Sequence, residues 1–143
     1  MKRPFTYSAL GILLIAGASG AYWVWVQVER EVVVAGSYSL CGLIELYGRD
    51  TGVYPADQSD VVQLLKQEKS AQTSAPYLSA SDPFFSQEGR IVEYRRTSAN
   101  AFVIVVHTEN RGIPKLVPSV QCESGVVEKG AEFRPACSCE LER

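Results

Sequence analysis

The residues of this sequence best suited to chemistry are four cysteines and a single histidine. The chain has 143 residues, and its cysteines are Cys41, Cys122, Cys137 and Cys139. An even number of cysteines in an exported domain predicts two disulfides. A zinc site fits less well, because one residue separates Cys137 from Cys139 and His107 is distant in sequence from both. A thiol-redox pair is a further alternative, although C-x-C departs from the C-x-x-C of thioredoxin-like proteins.

Patterns typical of enzymes are absent from the sequence. It contains no G-x-x-x-x-G-K-[ST], G-x-G-x-x-G, H-E-x-x-H or G-x-S-x-G pattern. His107 follows an apolar run and is predicted to be a surface residue at the end of a strand. The 14 basic and 16 acidic residues form no basic stripe, which argues against a nucleic-acid partner. We therefore predict a protein that is not an enzyme and that holds no cofactor and no metal.

An apolar N-terminal segment is predicted to determine where the rest of the chain lies relative to the membrane. Lys2 and Arg3 precede a run from residue 9 to 28, and twenty helical residues span about 30 Å, the thickness of the bilayer hydrocarbon. Trp23 and Trp25 lie toward its far end, where aromatic side chains favour the membrane interface. The pattern predicts a cytoplasmic N-terminus at 1–8, a single transmembrane helix at 9–28 and an extracytoplasmic domain at 29–143, anchored in the inner (cytoplasmic) membrane and facing the periplasm.

A cleaved signal peptide is the alternative for this segment. The basic start fits, and the small residues 18–21 offer a cleavage site. Cleavage there would leave two tryptophans and three valines at the start of the mature chain, so the sequence favours a retained anchor.

The remaining residues predict helices first and strands afterwards. Apolar residues three and four apart predict a helix over 31–47, and Ser59 or Asp60 can cap a short second helix. A loop at 48–52 is predicted to end the first helix. Strands are predicted at 91–95 and 101–106, joined by a loop at 97–100, followed by an edge strand at 115–120 and a tail from 123 that is too polar for the core. This order predicts an α+β fold, a long helix packed on a small antiparallel sheet.

Several of these segments, in this order, resemble the globular domain of the major pseudopilin of type II secretion systems. The family's D-x-G-x-Y-P loop, paired leucines, P-Y-L stretch and D-P-F turn have these counterparts: Asp50, Gly52, Tyr54 and Pro55; Leu64 and Leu65; residues 76–78; and Asp82, Pro83 and Phe84. The likeness covers residues 40–106, about half the chain. It implies a pseudopilin-like fold and a non-catalytic role through protein–protein contact in type II secretion or pilus-type assembly.

The loop residues also have a physical reading of their own. Pro55 disfavours helix for Tyr54, so the chain turns there and the tyrosine ring can lie on the core. Asp82 precedes Pro83 and can accept hydrogen bonds from nearby backbone N–H groups. We expect structural roles for these residues.

The N-terminus departs from the family's cleavage site. Phe5 and Thr6 are kept, but Pro4 replaces the family's glycine and Ala9 replaces its glutamate. We expect that prepilin peptidase does not process this chain, which favours a fixed anchor over a filament subunit. The alternatives are an envelope binding module unrelated to secretion and the thiol-redox protein.

The family's calcium loop cannot be carried over either. Calcium takes six to eight oxygen ligands, and no aspartate follows residue 106. A disulfide from Cys122 to Cys137 or Cys139 could secure the end of the domain instead, leaving Cys41 with the remaining cysteine.

Overall fold

A long helix and a four-stranded antiparallel sheet form the architecture. The computed structural model describes residues 5–56, 60–85, 90–108, 119–124 and 137–141, with side chains from residue 15 onward. The elements are α1 (Phe5–Thr51), α2 (Val61–Gln67), β1 (Arg90–Ser98), β2 (Ala101–Thr108), β3 (Val120–Ser124) and β4 (Cys137–Leu141). The sheet order is β1-β2-β3-β4, and every neighbouring pair is antiparallel. The predicted α+β fold, a long helix with a small antiparallel sheet, is confirmed.

The core lies between the C-terminal half of α1 and one face of the sheet. Val33, Leu40 and Ile44 of the helix are fully buried, at spacings of seven and four that put them on one face. The sheet meets them with alternate residues of its two central strands, all fully buried: Phe102, Ile104 and Val106 of β2, and Val120 and Cys122 of β3. The apolar residues that recur about every 3.6 positions in the helix therefore pack against those that recur every second position in the strands.

The N-terminal half of α1 carries exposed apolar side chains. Ile15 is 70% exposed and Trp23 is 61% exposed, although Val26 is buried. Where side chains are described, from residue 15 onward, no helix is both long and apolar enough to cross a membrane. The side chains of residues 9–14, the first part of the span predicted at 9–28, lie outside the described part of the chain. Residues 1–4, in the predicted cytoplasmic N-terminus, lie outside it as well.

The first helix ends later than the sequence predicts. The loop expected at 48–52 is wrong for its first four residues, because α1 continues through Thr51. Gly52 stops the helix at φ +79°, a left-handed conformation that glycine adopts without a Cβ penalty, and its N–H donates to the carbonyl of Gly48 at 2.9 Å. Asp60 caps α2 by accepting from the backbone N–H of Gln63, whereas Ser59 lies outside the described residues.

The C-terminal part of the sheet departs most from expectation. The strands predicted at 91–95 and 101–106 exist but extend further, so only residues 99 and 100 remain as the turn. Of the strand predicted at 115–120, residues 115–118 lie outside the described part, and β3 begins at Val120. The prediction that the tail from 123 is too polar for the core is wrong, because Ser124 is buried and β4 completes the sheet. Two of the three β4 residues that pack against the core are cysteines.

Two disulfides hold β4 in place. Cys41 of α1 bonds to Cys137, with their Cα atoms 6.1 Å apart, and Cys122 of β3 bonds to Cys139, with Cα atoms 4.0 Å apart. All four cysteines are paired. The prediction of two disulfides is therefore confirmed, and Cys139 rather than Cys137 is the partner of Cys122. Both bonds end on one five-residue strand.

Two glycines of α1 offer a matched test of the helix–loop contact. A Cβ at Gly36 would lie 2.6 Å from the ring of Phe84, whereas one at Gly42 would meet nothing within 4 Å. Gly36→Ala should lower the free energy of unfolding by about 1–3 kcal/mol through overpacking. Gly42→Ala should raise it by about 0.5–1 kcal/mol, because alanine is the better helix former. Urea unfolding followed by circular dichroism measures both, and an unchanged or more stable Gly36→Ala protein would contradict the packing described.

Candidate functional site

Three hydrogen-bond donors of the loop segment gather around Asp50 in the last turn of α1. Its Oδ2 accepts hydrogen bonds from the Tyr77 hydroxyl at 2.9 Å, the Ser70 hydroxyl at 3.2 Å and the Ala71 backbone N–H at 3.2 Å. All three donors come from the segment that follows α2. One carboxylate thus joins the end of the long helix to a stretch of irregular chain.

Burial of Tyr77 changes its acidity. Loss of hydration in this site raises the pKa of the phenol to about 12, and the hydrogen bond and negative charge of Asp50 act in the same direction. A neutral phenol donates to the carboxylate, whereas a phenolate would be repelled by it. The Tyr77 phenol, with its pKa raised to about 12, therefore stays neutral across the physiological range, as a structural contact requires.

Tyr54 and Pro55 lie where α1 turns back toward the sheet. The ring of Tyr54 packs edge-on against Phe102, with centroids 4.9 Å apart, and it passes so close to Gly48 that a side chain there would collide with it. Burial raises the pKa of its phenol. The carbonyl of Pro55 accepts a hydrogen bond from the Tyr94 hydroxyl at 2.9 Å, which fastens this turn to β1.

Asp82 organises the second turn. Its Oδ1 accepts from the backbone N–H groups of Phe84 and Phe85 at 2.9 and 3.1 Å, with Pro83 between. This arrangement presents the ring of Phe84 to Gly36 of α1. The two turns quoted in the pseudopilin resemblance thus each orient an aromatic ring against the helix or the sheet, and neither exposes a reactive group.

Arg90 is a buried cation that the sequence did not reveal. Its side chain is 3% exposed, forms an ion pair with Glu29 of α1, and donates to the Thr108 hydroxyl at 2.8 Å. Its guanidinium also lies over the Phe84 ring, 4.8 Å from the centroid. Glu29 precedes Arg90 by more than sixty positions, so no local pattern could have indicated the pair.

A second unpredicted arrangement crosses the outer face of the sheet. His107 Nδ1 shares a hydrogen bond with the Ser119 hydroxyl at 2.7 Å, and its Nε2 lies 3.4 Å from Glu93 Oε1. A hydroxyl, an imidazole and a carboxylate in this order are the components of a nucleophilic triad. Here, however, the Glu93 side chain is 70% exposed, so water competes for its charge. His107, expected at the surface at a strand end, is the last residue but one of β2 and is half-buried.

One open concavity lies on that outer face. It has a volume of about 260 Å³ and is lined by residues of β3 and β4: Gln121, Glu123, Ser138, Glu140 and Leu141. The lining is polar and acidic, and the Ser119–His107–Glu93 arrangement is not part of it. Within the described ranges, no group of three or more histidine, cysteine or acidic side chains could hold a metal ion.

Comparison with known proteins identified no relative of this chain. No family model matches the chain, and no curated protein or solved structure is significantly similar to it.

Alkaline titration tests the Asp50–Tyr77 contact. The phenol has an ordinary pKa of 10 when unfolded and about 12 when folded. Above pH 10 the unfolded chain therefore binds fewer protons than the native one, and stability should fall from pH 10 to 12. Tyr77→Phe should destabilise the protein by about 1–2 kcal/mol at neutral pH and flatten this alkaline decline.

Urea unfolding at pH 8 to 11.5 measures the effect, with Tyr22→Phe as the control on the exposed half of α1. An equal alkaline slope in the wild-type and Tyr77→Phe proteins would refute the assignment.

Proposed function

We propose that this protein is a non-catalytic, membrane-anchored envelope protein whose pseudopilin-like domain acts through protein–protein contacts in a type II secretion or pilus-type assembly. The observation that carries the proposal is the division of α1 into two halves. Its C-terminal half is built into the domain core, while large apolar side chains on its N-terminal half remain exposed. Such side chains on a soluble helix are costly to hydrate, and an apolar environment would remove that cost.

The sequence supplies the rest of the anchor argument. Residues 9–14 read Ala-Leu-Gly-Ile-Leu-Leu and extend the apolar character toward the N-terminus, with Lys2 and Arg3 before them. Basic residues shortly before the apolar run favour the cytoplasmic side for that end of the helix. The exposed Trp23 and Trp25 then fall near the outer interface, where indole rings are favoured.

The disulfides support an extracytoplasmic domain. Structural disulfides persist in oxidising compartments and are rare in the cytosol of most organisms. Cys41 and Cys122 are fully buried and Cys137 and Cys139 are half-buried, so one sulfur of each bond is shielded from small thiols. Burial of this kind favours structural bonds over the alternative of a thiol-redox protein, which needs an accessible, activated thiol.

The polar contacts and the shape of the domain support a role through protein–protein contact. Its residues with unusual environments, Asp50, Tyr77, Asp82 and Arg90, are occupied in holding the loops and the helix together. The open concavity is polar and small for a ligand pocket, since such pockets have volumes of about 300–1,000 Å³. These features favour a protein-binding module over a small-molecule receptor.

Membrane retention and intact mass test the anchor. Protein recovered from membranes should have its full-length mass and no alkylatable thiol before reduction. Ile15→Arg should weaken retention against alkaline extraction, because arginine at the centre of a membrane helix costs about 2.5–3.5 kcal/mol. Val53→Arg is the matched control, since Val53 is exposed on the domain rather than on the anchor.

Each shortened mass has its own meaning. A chain beginning at a methylated Phe5 would overturn the fixed anchor and make this a filament-forming pseudopilin. A chain beginning near Ala21 would make it a free periplasmic domain. Cross-linking of the full-length protein to secretion or pilus components in cells would support the proposed assembly, and its absence from such complexes would favour an unrelated binding module.

The non-catalytic part has a separate test at Ser119. Because the carboxylate of Glu93 is open to water, we expect a fluorophosphonate to leave the intact mass of the native protein unchanged. Ser119→Ala and His107→Ala are the matched variants. A stoichiometric adduct that both variants abolish would contradict the proposal and identify a serine hydrolase.

A further inference from the structure

One side of α1 faces away from the rest of the domain. The domain reaches around the helix as far as Gly36, which receives the ring of Phe84, and as far as Tyr38, whose hydroxyl donates to the carbonyl of Cys139 in β4 at 3.5 Å. Between these two positions, on the side opposite the sheet, runs a row of exposed or half-buried residues. We call this row the α1 stripe, and it consists of Val28, Val32, Ala35, Ser39 and Gly42.

The spacing of the α1 stripe is that of a helix that pairs with another helix. Its members follow one another at intervals of four, three, four and three residues. Apolar or small residues that recur every 3.5 positions form the contact seam of coiled coils, where side chains of one helix fit between those of the next. Val28 is 54% exposed and Val32 is 42% exposed, so this seam is open in the single chain.

The α1 stripe carries no charge, although three charged residues lie next to it in sequence. Glu29 is directed to the sheet, where it pairs with Arg90 of β1. Arg30 is two residues from Val32, which places it about 200° around the helix. Glu31 takes a flanking position, where charged residues are usual beside a coiled-coil seam. Two copies of the stripe can therefore meet without bringing like charges together at its centre.

Gly42 is an independent sign of a partner helix. Glycine inside a helix is less favourable than alanine, so a compensating contact is expected there. Gly36 and Gly48 have such contacts within the chain, because a Cβ at either would collide with the ring of Phe84 or Tyr54. In the described part of the chain, a Cβ at Gly42 would meet nothing within 4 Å. Small residues let two helix backbones approach closely, so the contact that suits Gly42 lies outside this chain.

We propose that α1 pairs with α1 of a second copy of this chain through the α1 stripe, so that the anchored protein is a parallel two-fold dimer. The proposal rests on the membrane anchor proposed above, because chains that cross one membrane in the same direction hold their helices parallel. In such a dimer each stripe residue meets the same residue of the other copy, so Val32 lies against Val32 and Gly42 against Gly42. The two sheets lie on the outer sides of the helix pair, since the stripe faces away from the core.

The membrane favours a second copy over a different partner. Anchoring fixes the direction and the depth of every copy beforehand, which reduces the freedom lost on association. Two copies also hold their stripes at the same height over about 21 Å of helix, from Val28 to Gly42. Toward the membrane the exposed Val24 continues the stripe, while the ring of Trp25 turns to Tyr22 and stacks on it, with centroids 6.2 Å apart.

Cross-linking of the full-length protein in membranes tests the pairing. All four native cysteines are in disulfides, so one added cysteine provides the only free thiol. Ser39→Cys should join two copies through a short bismaleimide at least about tenfold more than Arg30→Cys, which is exposed on the far side of α1. Ala35→Cys is a second stripe variant and should cross-link as well. Intact mass with alkylation before reduction checks that each variant keeps both native disulfides.

Gly42→Leu separates the seam from the fold. Leucine is the better helix former and meets open space in its own chain, so the urea midpoint of the diluted, detergent-solubilised protein should not fall. The same change should reduce cross-linking through Ser39→Cys at least about threefold, because the two backbones can no longer approach closely. Arg30→Leu, on the far side of the helix, should leave the cross-linking unchanged.

The outcomes distinguish the pair from the anchor. Equal cross-linking of Ser39→Cys and Arg30→Cys in membranes that retain the protein would overturn the pair and leave the anchor intact. Loss of the protein from membranes would refute the anchor, and sedimentation of the soluble chain as a monomer would then overturn the pair as well. Cross-links of Val32→Cys to Ser39→Cys copies, with none between identical copies, would replace the dimer by a staggered assembly. A Ser39→Cys adduct with another protein instead of a copy would also overturn the proposal.

Discussion

The structure depends on the burial of one face of α1 against the sheet. Val33, Leu40 and Ile44 lose all contact with water there, and every other element is placed by its relation to this interface. The helix could not be stable over its full length on propensity alone, since it contains several glycines and β-branched residues. Packing therefore stabilises the helix, and the helix in turn supplies the surface on which four short strands assemble.

Polar contacts fix how the loops lie on this framework. Asp50, Asp82 and Arg90 each use a charged group to hold several neighbours. Asp50 joins the end of α1 to the segment after α2, Asp82 fixes its own turn, and Arg90 joins β1 to α1 and β2. Because these groups are at least partly buried, losing one partner would leave a charge poorly solvated. The domain thus combines an ordinary apolar core with a small number of charged fastenings at its rim.

The sequence predicted the parts of this fold that repeat a period and missed those that depend on distant residues. The spacing of apolar residues in 31–47 and the β-branched run at 101–106 were sufficient to predict helix and strand. The end of α1 was predicted too early, because Gly48 in sequence is typical of a loop. In the structure this glycine is within the helix and leaves space for the ring of Tyr54. Strand β4 has one aliphatic residue in five, so no hydrophobic pattern could predict it.

The candidate site divides in the same way. Asp50, Tyr54, Pro55, Asp82 and Pro83 could be selected by their turn chemistry. The structure places Asp50 at the end of α1, Tyr54 and Pro55 in the turn after it, and Asp82 and Pro83 in a separate turn, so they do not form one site. The Arg90–Glu29 pair and the Ser119–His107–Glu93 arrangement join residues from different elements. Each is created by strand register or helix packing, which one-dimensional spacing does not encode.

The continuity of α1 has a mechanical consequence. The helix runs without a break from its exposed half into the core, so the chain has no hinge at which the domain could turn independently. If residues up to 28 lie in a bilayer, the helix acts as a rigid lever arm. Ile44 then lies about 24 Å beyond the last of them, and a tilt of about 20°, the average for membrane helices, displaces that point sideways by about 8 Å. Bilayer thickness and lateral force would thus be converted directly into the position and orientation of the domain.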